Sequence, residues 1–77
     1  MRTMIFGGSK EQAKNYKVME CIMSGEVIET WRDLEVPGKV EVLLVGTYER
    51  SREWPGIQAK LLEMENMGRV TVMVEGW

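Results

Sequence analysis

Histidine is absent from this 77-residue chain, and cysteine occurs once, at Cys21. The first absence removes the commonest general base and the commonest transition-metal ligand together. The second excludes an internal disulfide and any multi-cysteine zinc site, and a lone thiol fits a reducing compartment. Proline is scarce, with two residues, and there is a single phenylalanine. No apolar run approaches the length of about 18 residues that a membrane-spanning helix needs. The opening MRTMIFGG holds a run shorter than a signal peptide's, so a cytoplasmic protein without a membrane association is expected. Neither sign of charge dominates: ten Lys and Arg against twelve Asp and Glu leave −2. That balance is not the basic footprint of a nucleic-acid binder, nor an acidic mimic of one.

What is present suits one small folded domain, residues 1–77. The chain is 44% hydrophobic and 29% charged, ordinary values for a globular domain. A chain this short buries roughly 60% of the surface its unfolded form exposes, which leaves a thin stability margin.

Arg2 to Phe6 reads as a strand ended by Gly7 and Gly8. Ser9 then reads as an N-cap, and Gln12 three residues later completes a capping box. Ala13, Tyr16, Met19 and Met23 recur at helical spacing, with Cys21 inside the same helix as a small buried hydrophobe and Gly25 as its stop. Lys39 to Tyr48 alternates and then runs apolar, as a central strand does. Ser51 to Met67 carries Trp54, Ile57, Leu61 and Met64 at helical spacing. Pro55 falls in the first turn, and Gly68 closes the element. Arg69 to Glu75 alternates strictly, with Val70, Val72 and Val74 on one face.

The segment Glu26 to Glu35 decides the fold. As a strand it is rich in Val, Ile, Thr and Trp, and it meets Val36-Pro37-Gly38-Lys39, a type II turn sequence. As a helix it sets Val27, Ile28, Trp31 and Leu34 on one face. Periodicity favours the helix, whereas turn chemistry and size favour the strand. The expected fold is therefore a two-layer α+β sandwich of the ferredoxin-like type, strand-helix-strand-strand-helix-strand. The alternative is a three-stranded parallel α/β arrangement, strand-helix-helix-strand-helix-strand.

Two stretches could carry function. Gly7-Gly8-Ser9-Lys10 opens a helix, where free N–H groups and the positive end of the dipole attract anions. The P-loop and dinucleotide spacings are absent, and a strand end with a tight turn accounts for the same residues without a ligand. Tyr48 to Gly56 (YERSREWPG) sets Arg50 and Arg52 near Tyr48 and Trp54. Guanidinium groups beside aromatics suit a phosphate or carboxylate, and equally a protein contact. In the antiparallel sandwich the two stretches lie at opposite ends of the sheet. In the parallel version both sit at the carboxyl ends of strands, where open α/β sheets bind ligands.

The stretch VLLVGTYERSREW resembles part of TIR-like domains, in which a strand leads to a loop with Ser, two residues, then Trp. That resemblance implies NAD chemistry through a glutamate shortly after the tryptophan. Here the fourth residue after Trp54 is Gln58 and the chain is much shorter, so it is not assigned to that family.

No catalytic residue, metal or cofactor is expected, and Cys21 has no histidine to activate it. The primary functional expectation is a non-enzymatic protein that docks on another protein, in the manner of small viral or mobile-element inhibitors. Tyr48, Arg50, Arg52, Trp54 and Trp77 are its candidate contacts. Seven methionines and three tryptophans in so short a chain also suggest a homo-oligomer. The alternative is a sequestering or sensing module for a small phosphorylated, nucleotide-like ligand, held by Gly7, Gly8, Ser9, Lys10, Arg50 and Arg52.

Overall fold

The computed structural model describes residues 1–76. They form four strands and two α-helices in the order β1 (Arg2–Phe6), α1 (Lys10–Met19), β2 (Glu26–Val27), β3 (Val40–Val45), α2 (Trp54–Asn66) and β4 (Val70–Glu75). Short 3₁₀ turns occupy Trp31–Leu34 and Tyr48–Arg50. The strands make one sheet in the order β2-β1-β3-β4, and every neighbouring pair is parallel. In register, Met4 lies beside Val42 and Val42 beside Val72.

This arrangement corrects the ferredoxin-like expectation, whose sheet would be antiparallel. It also departs from the three-stranded alternative, because Glu26 to Glu35 is neither one strand nor one helix. Glu26 and Val27 pair with Met4 and Ile5. The Ile28 N–H still donates to the Ile5 carbonyl at 2.8 Å, and the ladder then stops because the following donors find local partners. The Asp33 carboxylate accepts the N–H groups of Glu29, at 2.7 Å, and of Thr30, at 3.2 Å. The Thr30 hydroxyl in turn accepts the Arg32 N–H, so a capping box starts the 3₁₀ turn. The Val36-Pro37-Gly38-Lys39 bend does form, and Gly38 has the positive φ of 80° that its third position requires. It leads from the 3₁₀ turn into β3 and does not join two antiparallel strands.

A parallel sheet has to be covered on both faces, and this chain achieves that with one helix on each. Right-handed crossovers that leave neighbouring strands in opposite directions put their helices on opposite faces. Ile5, Leu43 and Val45 point to the α1 face and pack on Ala13 and Tyr16, with Ile22 and Val27 beside them. Met4, Phe6, Val40, Val42 and Leu44 point to the other face, against Ile57, Leu61 and Met64 of α2. Ile28 and Leu34 join that second cluster, so the passage from β2 to β3 crosses on the α2 side. Trp31 lies against α2 at Gly56, where a side-chain carbon would come within 3.2 Å of the indole.

Two helices do not cover everything. Val18, Met19, Met23, Leu62, Met67, Met73 and Val74 are exposed. The α1 helix is shorter than its periodicity suggests, and Met19 and Met23 are not on its buried face. The chain turns at Cys21, whose φ of 55° ends the helix and leaves the thiol exposed. Ile22 takes the core position instead.

Candidate functional site

In the order β2-β1-β3-β4 the connections that follow β1 and β3 depart in opposite directions. Crevices of open α/β sheets form at such a switch point, outside the carboxyl ends of the strands. The loops that follow β1 and β3 therefore meet, and the meeting is built from glycine and Gln12. Gln12 Oε1 accepts the N–H of Gly8 at 2.7 Å, the N–H of Thr47 at 3.1 Å and the Thr47 hydroxyl at 3.3 Å. A side-chain carbon on Gly8 would overlap Thr47, and one on Gly46 would overlap the Gln12 amide. Gly46 also has a φ of 56°, a region that side-chain-bearing residues rarely adopt. Close approach of two loops is thus the immediate reason for Gly8 and Gly46.

The capping box read from Ser9 and Gln12 is half present. Ser9 Oγ accepts the Gln12 N–H at 3.1 Å and caps α1. The Gln12 side chain reaches past the cap to Gly8 and across to Thr47.

On the α2 side of these loops lies a crevice of about 210 Å³, lined by Phe6, Gly7, Ser9, Lys10, Ile28, Glu29, Ser51 and Glu53. Its floor is apolar, since Phe6 and Ile28 belong to the core. The Phe6 ring stacks on Trp54 at 6.2 Å, and Tyr48 meets Trp54 edge-on at 4.9 Å. Its rim is charged. Lys10 Nζ lies 2.8 Å from Glu29 Oε1. The hydrogen bond to Glu29 and the attraction of that carboxylate hold the Lys10 ammonium above its usual pKa. On the opposite rim, Ser51 Oγ accepts the Glu53 N–H at 3.1 Å. The volume is below the roughly 300–1,000 Å³ of a site for a drug-sized molecule, and it suits a sugar- or phosphate-sized fragment.

Of the residues singled out from sequence for a ligand, Gly7, Ser9 and Lys10 line this crevice. Gly8 is tucked against Thr47. Arg50 and Arg52 stand exposed at the same end of the sheet, while the alternate residues Ser51 and Glu53 take the lining positions. Of the candidate protein contacts, Tyr48 and Trp54 are half-buried and packed on the α2-side core. Trp77 lies outside the described residues. Glu29, Ser51 and Glu53 were not singled out from sequence. Nothing local marks Glu29, which reaches Lys10 only because β2 runs parallel to β1. The described residues contain no group of three or more His, Cys, Asp or Glu side chains able to hold a metal ion.

No protein-family model matches the chain, and the searches of curated proteins and of solved structures return no match.

Proposed function

We propose that this protein is a binding module for a small phosphorylated, nucleotide-like ligand at the carboxyl end of the sheet. The observation that carries the reading is the convergence of the α1 N-terminal turn, Lys10 and the Ser51–Glu53 rim on one crevice with an apolar floor. A phosphate seated at the first turn of α1 gains the helix-terminal N–H groups and Lys10. Glu29 is its built-in competitor, since the carboxylate already occupies the ammonium. Hydroxyl groups of an attached sugar find acceptors in Glu53 and Ser51 on the other rim.

The test is thermal shift with inorganic phosphate, ribose 5-phosphate and the common nucleoside monophosphates. A ligand at 100 times its Kd adds about 2.7 kcal/mol, which moves the Tm of a domain this size by roughly 10–20 °C. Lys10→Met is expected to weaken binding by about tenfold, the scale of one charge-assisted hydrogen bond. Absence of a shift across the whole panel sinks the reading.

A second reading, docking on another protein, draws on the exposed Arg50 and Arg52 beside the Tyr48–Trp54 pair. Pull-down with the Arg50→Ala, Arg52→Ala double variant separates the two readings. Loss of a partner with nucleotide binding intact favours docking.

A further inference from the structure

Strand β4 lies at one margin of the sheet, with β3 as its neighbour. The phase of its backbone follows from one bond: the Val40 N–H donates to the Arg69 carbonyl at 3.0 Å. Because backbone groups alternate along a strand, positions 69, 71, 73 and 75 face β3. Val70, Val72 and Val74 therefore turn their N–H and C=O groups to the open edge.

Natural proteins guard such an edge with lysine, proline, a bulge or an inward charge. None stands between Val70 and Val74. The side chains are apolar or β-branched there, with Val74 64% exposed and Met73 42% exposed. On the face away from α2, α1 packs chiefly over β1, β2 and β3, and it approaches β4 at Glu75, whose carboxylate acts on Tyr16.

We infer that β4 pairs antiparallel with β4 of a second copy of this chain, about a two-fold axis at Val72. In that register Val72 faces Val72 of the other copy, and Val70 faces Val74 at either side. These are the positions whose backbone groups point outward, and each such pair exchanges two N–H···O bonds, about six in all. The Val70–Val74 pairs cover the exposed Val74. Met73 falls opposite Thr71 on the bare face. Glu75 falls opposite Arg69, so the strand ends carry opposite charges and no like-charged pair arises. Pairing in parallel register would instead set Glu75 against Glu75. The other margin of the sheet is β2, two residues long, too short to continue the sheet. The association therefore closes at a dimer and does not grow into a filament.

The phase of β4 supplies a selective test. Val74→Pro deletes an outward N–H and leaves the β3 ladder intact, as an edge strand tolerates. Val74→Lys supplies the missing guard by a different route. Sedimentation velocity of the full chain at roughly 100 μM is expected to give a dimer for the wild type and a monomer for both variants, with unchanged circular dichroism. Hydrogen exchange of the wild type adds a readout independent of any variant: the Val72 and Val74 amides gain protection as concentration rises. A wild-type monomer at that concentration overturns the inference. So does a dimer that both folded variants retain, or a dimer whose Val72 and Val74 amides exchange as fast as when dilute.

Discussion

Both helices end with the same hydrogen-bond pattern on different residues. At the end of α2 the Gly68 N–H donates to the Glu65 carbonyl and the Arg69 N–H to the Met64 carbonyl, with Gly68 at φ 68°. At the end of α1 the Cys21 N–H donates to Val18 and the Ile22 N–H to Lys17, with Cys21 at φ 55°. This is the Schellman geometry, which glycine fits without a steric penalty. A residue with a side chain pays about 1–2 kcal/mol for the left-handed conformation, partly offset because glycine is freer in the unfolded chain. Cys21→Gly is expected to stabilise the fold by about 1 kcal/mol, raising Tm by roughly 4–8 °C. A calorimetric scan that shows no rise would remove this account of the helix end. The sequence marks Gly68 as a stop because glycine is the usual residue there. It gives no such mark at Cys21, which is why the helix reads as longer than it is.

At the scale of elements, α1 is held by a small contact set: Ala13 and Tyr16 are its buried residues, against Ile5, Leu43 and Val45. Burial pushes the Tyr16 hydroxyl above its usual pKa, and the carboxylates of Glu75 and Glu20 add to the effect. A group raised in the folded state contributes stability that is complete below its unfolded value of 10.0 and lost as pH climbs through the folded value. Urea midpoints are therefore expected to hold steady approaching pH 10 and to fall above it. Tyr16→Phe should make that fall shallower, leaving the similar but separate contribution of Tyr48, which burial and Glu49 also raise. An equally steep fall in Tyr16→Phe would assign the alkaline loss to other groups. The segment Glu26 to Glu35 shows the opposite kind of legibility. Its helical spacing of Val27, Ile28, Trp31 and Leu34 is real, but Thr30 and Asp33 cap a turn in its middle. Capping chemistry, present in the sequence as Thr30-x-x-Asp33, outweighed the periodicity.

For the whole molecule, the two apolar clusters lie on opposite faces but share β1 and β3. Leu43 and Leu44 are consecutive and belong to different clusters. Loosening one face withdraws support from the same strands the other face needs, so both should melt in one transition. Leu43→Ala on the α1 side and Ile57→Ala on the α2 side are each expected to cost about 2–5 kcal/mol. Both should shift a single unfolding curve measured by tryptophan fluorescence and circular dichroism. Separate transitions by the two probes would show that the faces fold apart. Together the two substitutions are expected to cost about 4–10 kcal/mol, a large share of a margin of about 5–15 kcal/mol.

The sequence alone determined most of the elements. The strand Arg2–Phe6, the start of α1 at Lys10 with its Ser9 cap, the centre of α2, the stop at Gly68 and the alternation of β4 all follow from short-range chemistry. Side-chain spacing, caps and glycine act within a few residues, so they can be read there. Strand direction could not be read, because a parallel and an antiparallel sheet ask nearly the same pattern of Val40 to Val45. That direction follows from which connections can cross the sheet and cover both faces, a property of the whole chain. It also decided the candidate site. Gly8 meets Thr47 through Gln12, and Lys10 meets Glu29, only because β1, β2 and β3 all end on the same side.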